Sequence, residues 1–402
     1  MTERLRWAAL AEEAVDPDAD WGLPGWTYSD PEFYAAELER IIRPSWQIVC
    51  HVNEVLNPGD YRTVDILGES IIVIRGDDGA VRAFTNVCRH RAMRLVEGPS
   101  GCAKKLICPY HAWTYQNDGR LSGVPMKADY PALKLEENRP ETNLAPVALE
   151  VWHGFVFVRL ADGGFPSVAE MLAPAEAEIA PFRLAKMQPL GRPWVRPRSV
   201  NWKNVGDNYS DNLHIPVAHD GLTRLFGKSY AISAHGWADR MSGELDDGPR
   251  GNFWEELYRR HLPSADHLPE AYRRRWFYWK LWPNIAFDFY PDQIDFMQWL
   301  PTGPTTCELR VASYALPDAF TPDDKRRKMK LVRYANDRIN RVVNAEDTAL
   351  IERVQQGMAS RSFTSGPLAA SEVCLRSFTK KIRAILPEAR QSQPPPAGWS
   401  KG

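Results

Sequence analysis

The chain has 402 residues, 44% hydrophobic and 25% charged, a globular composition with length for two or three domains, which excludes disorder as the main state. Fifty Lys and Arg against fifty-one Asp and Glu leave a net charge of −1, so no basic excess is available to neutralise phosphates; a nucleic-acid role would have to rest on a local patch, and no nucleic-acid partner is expected. The longest apolar runs, Ile71 to Ile74 and Phe155 to Val158, fall far short of the ~20 residues that cross a bilayer, and the acids near the N-terminus break any secretory signal, so the expectation is a cytoplasmic protein without membrane contact.

In chain order, residues 29–43 predict a helix, with Ser29 and Glu32 as a capping box, Pro31 in its first turn and Pro44 ending it. Residues 46–160 read as strands: Ile71 to Ile74 and Val81 to Phe84 flank the turn Asp77–Gly79, and 147–160 reads as one half-buried strand. Helical text follows at 165–187 and around Asn201 to Asn212. Residues 276–315 are aromatic, alternating and punctuated by proline, as successive antiparallel strands are. Thr321-Pro322 opens a charged helix to about Val343, a second runs to Gly357, and the tail after Pro387 is expected to be disordered. Strands followed by mixed helices and antiparallel strands indicate an α+β class.

Two constellations carry chemistry. Cys88-Arg-His90 and Cys108-Pro-Tyr-His111 each offer one thiolate and one imidazole, seventeen residues apart. The Cys-x2-Cys arm of a zinc ribbon is absent, and mixed Cys/His arms match a [2Fe–2S] centre with two Cys on one iron and two His on the other. Cys102 reads as a loop residue, and Cys50, Cys307 and Cys374 as core thiols. The second constellation lies in NWKNVGDNYSDNLHIPVAHD, 201–220. On a helix Asp207, Asp211 and His214 share a face, and Pro216, breaking that helix just after His214, lets His219 swing back towards it. Two His with one carboxylate form the facial triad of non-haem Fe(II) oxygenases.

The text Cys88 to Leu121, with its Pro-Tyr-His-Ala-Trp-Thr-Tyr run and Asp118-Gly119 turn, closely resembles the cluster loops of Rieske oxygenases. With the His214/His219 segment, the chain resembles over nearly its whole length the catalytic α-subunit of Rieske non-haem iron ring-hydroxylating oxygenases. The resemblance implies an N-terminal helical segment (1–44), an all-β Rieske domain (45–160), a catalytic domain (161–388) with a curved antiparallel sheet surrounded by helices (helix-grip, Bet v1-like), and a tail (389–402). It puts the third iron ligand on Asp347, with Glu346 as rival; Asp347 falls at helical spacing with Leu350 and Val354. It also implies one cluster and one mononuclear Fe(II) per subunit, O2 as co-substrate, NAD(P)H acting through a reductase or ferredoxin, and a homotrimer in which Asp211 links a neighbour's His90 or His111 to His214. The substrate is a small molecule of one of two classes. Asp211-Asn-Leu-His214 is the arrangement of enzymes that hydroxylate or N-/O-dealkylate aromatic compounds, the leading expectation, while DNYSDNLHIPVAHDGL also looks like the choline and betaine monooxygenases. A non-catalytic electron carrier is a distant third, opposed by the second metal site.

Overall fold

The computed structural model describes residues 16–133, 139–248, 251–317 and 323–401. The chain divides into two compact units, one of Trp46–Asp162 and the other of Met1–Ser45 with Gly163–Gly402. No described helix is long and apolar enough to cross a membrane.

The Trp46–Asp162 unit is all β. Strands β1 (Gln47–His51), β2 (Asp60–Ile66), β3 (Glu69–Arg75), β4 (Val81–Thr85) and β5 (Ser100–Cys102) join β9 (Pro146–Trp152) and β10 (Phe155–Arg159) in a seven-stranded sheet of order β1-β10-β9-β4-β3-β2-β5. The short strands β6 (Leu106–Ile107), β7 (Thr114–Tyr115) and β8 (Leu121–Gly123) form a second sheet. Ile71 to Ile74 are fully buried, so that strand is an unbroken apolar run rather than an alternation. The segment 147–160, expected as one strand, is a hairpin. His153 and Gly154 both take positive φ (45° and 89°), the twist a two-residue hairpin turn needs, and Phe155 pairs with Trp152.

In the larger unit, helix α1 (Pro31–Glu37) is capped by Asp30, not Ser29: its carboxylate accepts from the Phe33 amide, and a π-helical turn, Leu38–Ile42, carries the chain on. Strands β11 (Gln188–Pro189), β12 (Trp194–Arg198), β13 (Ala231–His235), β14 (Ala238–Glu244), β15 (Arg275–Leu281), β16 (Ile285–Phe289), β17 (Ile294–Gly303) and β18 (Thr306–Ala315) build a curved antiparallel sheet. Helices α2 (Trp202–Ser210), α3 (Ile215–Ala218), α4 (Asp220–Phe226), α5 (Phe253–His261), α6 (Asp323–Met358) and α7 (Val373–Ile385) belong to the unit, and the helical segment expected at 165–187 is broken into short pieces that include Val168–Met171 and Glu176–Ile179. Trp276, Trp279 and Trp299 fill its core at 2% exposure or less.

Three expectations are corrected here. The two helices expected between 321 and 357 are one, because nothing between Val343 and Gly357 removes a backbone donor or forces a turn; Thr321-Pro322 lies outside the described residues. Gly357 falls within that helix, one residue before its end. The tail expected to be disordered docks on α1: Glu32 accepts from the Gly398 and Ser400 amides (both 2.9 Å), and Trp399 packs near Phe33. A charged anchor secures the other side of α1. Lys203 Nζ lies 2.6 Å from Glu37 Oε1, both side chains fully buried, and the Trp202 indole donates to Glu37 Oε2. Breaking such a pair strands a buried charge and costs about 3–5 kcal/mol.

Candidate active site

Cys88 and Cys108 open two loops with the same backbone geometry. In each, the amide four residues on donates to the cysteine carbonyl (Ala92 and Ala112, 3.0 Å), and the cysteine amide donates to the carbonyl five residues on (Met93 and Trp113, 2.8 Å). Ala92 and Ala112 take φ of 57° and 53°, the left-handed turn that closes each loop. The His90 and His111 rings are thereby brought to 4.7 Å, and His90 stacks on Trp113 at 4.9 Å with planes 4° apart. Both cysteines are buried, and Tyr115 holds its hydroxyl 3.3 Å from Cys88 Sγ. Nδ1 of His90 and Nδ1 of His111 are buried without a hydrogen-bond partner. Two buried imidazole nitrogens with no partner, in the same loops as two buried thiols, suit a mixed-ligand cluster. Burial, with the charges of His111 and Arg91, lowers the His90 pKa, which keeps the imidazole neutral as ligation requires. Gly119 (φ 89°) turns so close to Phe84 that a Cβ would lie 2.4 Å from the ring, so glycine is obligatory there. Cys102, expected in a loop, instead ends strand β5, where it is exposed and paired with Asp60, and Cys50, Cys307 and Cys374 are buried.

The second site departs from the expected helical face. Helix α2 ends at Ser210, Asp211 is extended (φ −91°, ψ 136°), and its Oδ1 accepts from the Leu213 amide at 2.7 Å. Asp207, still on α2, is turned away from the histidines and accepts from the Tyr28 hydroxyl at 2.5 Å. The break therefore comes before His214, not after it. His214 caps α3, Pro216 sits in that helix's first turn, where a missing amide hydrogen costs nothing, and His219 ends it. One short helix between the two histidines brings their rings to 5.0 Å.

Asp347 reaches them from α6. Its Oδ1 lies 2.9 Å from His219 Nε2 and 3.7 Å from His214 Nε2, and one ligand atom from each of the three residues lies within 4.8 Å of the others. The stripe carrying it inward runs through Ile351 and Gln355; Val354, expected there, is exposed. Glu346, the rival ligand, is engaged on the far side of the same ring, 2.7 Å from His219 Nδ1. Burial opposes a charged His219, but Asp347 and Glu346 outweigh it and raise its pKa: the pocket favours a cation. Asp211 Oδ2 lies 3.0 Å from His214 Nδ1, and although burial resists ionisation, His214 and the Leu213 amide hold its pKa low. Each histidine thus has a carboxylate behind it that fixes tautomer and ring direction.

Beside the triad lies a cavity of about 690 Å³. Tyr209, Tyr230, Tyr278 and Tyr290 line it, as do two buried carboxylates, Asp288 and Asp295. Tyr209 donates to Asp288 at 2.5 Å, and its neighbour Asn208 places its amide 3.2 Å from His214 Nε2. Sequence reasoning missed Glu346 as an orienting group and missed Asn208, Asp288 and Asp295. The two buried acids left a signal, Asp interrupting the otherwise aromatic and apolar strands Ile285–Phe289 and Ile294–Gly303.

A paired-loop site of two cysteines and two histidines in a small β unit, and a triad of two histidines with one carboxylate beside a cavity in an antiparallel sheet with helices, define a Rieske-type non-haem iron oxygenase. The comparisons agree: the Rieske [2Fe–2S] domain family matches residues 45–136, and the ring hydroxylating alpha subunit (catalytic domain) family matches residues 189–388. The carnitine monooxygenase oxygenase subunit of Acinetobacter pittii is 31% identical over 357 residues, 87% of this chain and 88% of that one. The structure of a quaternary ammonium Rieske monooxygenase in complex with L-carnitine superposes with a TM-score of 0.73 at 25% identity, covering 93% of this chain and 99% of that one. Naphthalene 1,2-dioxygenase from Rhodococcus sp. shares the fold (TM-score 0.73, 23% identity, 96% and 98% covered). The chain belongs to the family of Rieske oxygenase catalytic α-subunits, and it is an oxidoreductase that acts with O2.

Proposed function

We propose that this oxygenase component oxidises a small quaternary ammonium compound, taking electrons from NAD(P)H through a reductase or ferredoxin. In this reading Cys88, His90, Cys108 and His111 hold the [2Fe–2S] cluster, and His214, His219 and Asp347 hold one Fe(II). When bound, the cluster supplies single electrons and the iron supplies O2 activation. Asp211 orients His214 and, in a homotrimer, gives a neighbouring subunit's cluster histidine a hydrogen-bonded path to it. The cavity beside the triad positions the substrate, and its largely buried walls exclude water.

The aromatic class led on the Asp211-x2-His214 spacing alone. Relatives named for carnitine and choline, at 31% and 30% identity over most of this chain, support the ammonium class instead. The observation that carries the reading is the cavity wall, because four tyrosines beside two buried carboxylates suit an alkylated cation better than a neutral ring. The test is O2 uptake with product analysis by the reconstituted system, offering L-carnitine, choline, glycine betaine, indole and naphthalene side by side. Turnover of one or more ammonium compounds is expected; coupled turnover of the aromatics alone overturns the proposal.

A further inference from the structure

The cavity has two charged poles. Across the sheet, Tyr278 pairs with Asp288, Asp288 with Asp295 and Asp295 with Ser313, one row on the cavity side. Asp288 and Asp295 are 6% and 9% exposed, and neither has a basic side chain within ion-pair distance among the described residues. Nearby Asp292, by contrast, faces Arg333 at 3.5 Å. Asp288 is held by the Tyr209 hydroxyl, and Asp295 by the Gln293 amide at 3.2 Å. Gln293 Oε1 and Asn336 Nδ2 line the same end, buried and without partners. Two buried acids with neutral partners, in a cavity lined by four tyrosines, lack only a cation.

At the other end of β18 the sign reverses. Arg198 of β12 pairs with Cys307, six residues along the strand from Ser313. Arg198 is 9% exposed and lines the cavity; among the described residues its side chain hydrogen-bonds the Pro197 carbonyl and Asn344 Oδ1 (2.6 Å), the charge of Glu352, also lining the cavity, reaches it, and no carboxylate lies within ion-pair distance. Asn344 stands one helical turn before Asp347, which ties Arg198 to the helix that carries the triad carboxylate. A buried arginine without a carboxylate is costly unless an anion completes its planar fork.

Resting on the ammonium reading above, we infer that the substrate is a zwitterion, its alkylated cation seated at Asp288 and Asp295 and its carboxylate at Arg198. Choline-type compounds fill one pole only. Burial, against which hydrogen bonds from Tyr209 and Tyr290 act, pushes the Asp288 carboxyl up to about 7. Burial, with the charges of Asp288 and Asp292 and against hydrogen bonds from Ser313 and Gln293, takes Asp295 to about 8. A cation arriving between them therefore displaces protons near neutrality.

The test is calorimetric binding to the cluster-loaded protein with five probes: L-carnitine and glycine betaine (both charges), choline (cation only), 3,3-dimethylbutanoate (the uncharged-carbon counterpart of glycine betaine) and indole (neutral). Wild type is expected to bind one zwitterion at least tenfold more tightly than either single-charge probe. Asp288→Asn should weaken zwitterion and choline binding at least tenfold and leave 3,3-dimethylbutanoate unchanged; Arg198→Gln should weaken the zwitterion and 3,3-dimethylbutanoate and spare choline. Should Asp288→Asn not fold, Asp295→Asn serves, as does proton release on zwitterion binding to wild type at pH 6.5, measured in two buffers. Variants that bind as wild type does, or no proton release, overturn the assignment of the poles with the ammonium class intact. Wild type that binds indole but none of the cations overturns both.

Discussion

The two metal-binding regions solve opposite electrostatic problems. Around His90 and His111 there is an indole face, a second imidazole and two nitrogens left bare, and burial keeps His90 neutral. Around His214 and His219 three carboxylates converge, Asp211 and Glu346 behind the rings and Asp347 between them. The first environment keeps negative charge low, which favours accepting an electron. The second concentrates negative charge on one point, fixes each ring, and leaves open positions for a divalent metal's other ligands. On the proposed assignment, a carrier of electrons and an activator of O2 are distinguished by what stands behind their histidines.

The strongest way to break this comparison is to remove ligands on one side only. His214→Ala or Asp347→Ala should eliminate bound iron and turnover while leaving the reduced protein's mixed-ligand cluster EPR signal unchanged; a metal assay finding full iron in Asp347→Ala would return the ligand role to Glu346. Next in size, Asp211→Asn should leave both metals loaded and the cluster reducible but slow cluster-to-iron transfer by orders of magnitude. Single-turnover reoxidation of the pre-reduced cluster with substrate and O2 reads this directly, and a wild-type rate would show another route. Glu346→Gln is milder: it keeps the side chain's shape and removes its charge, so iron affinity should fall about 10–100-fold, as for other groups that orient a ligand, with cluster content untouched. Metal titration monitors it.

The smallest effect sharpens the contrast through the cavity floor. Asp288 (about 7) and Asp295 (about 8) sit above the ordinary carboxylate value of 3.8 chiefly because burial disfavours their charge. Folded protein then keeps protons that the unfolded chain has released. Their contribution to stability is full below pH 4 and is lost as pH rises through 7 to 8, by at most about 1.4 kcal/mol per pH unit per group. Urea melts of ligand-free protein should therefore weaken from pH 5 to pH 8.5. Asp295→Asn should flatten that slope, and an unchanged slope would remove the floor acids as its cause.

The cluster site was legible in the sequence because its four candidate ligands fall within 24 residues and are joined by local turns; Cys-x-His and Cys-x2-His fix the geometry of each loop. The α+β class was legible for a similar reason, since strand alternation and proline punctuation are local signals. His214 and His219 were visible as residues, but the backbone before them was not: the Asp211 carboxylate takes the Leu213 amide in an Asx turn in place of a continued helix, and no period of 3.6 reveals that. Which carboxylate meets the histidines was decided by the rotation of a 36-residue helix whose buried stripe is set by what packs against it. The opposition of Asp288 and Asp295 to Arg198 was decided by strand register, which places residues nearly a hundred positions apart along one wall. Local chemistry is written in consecutive residues; the charge a cavity presents to its ligand is a sum over side chains that only tertiary packing brings together.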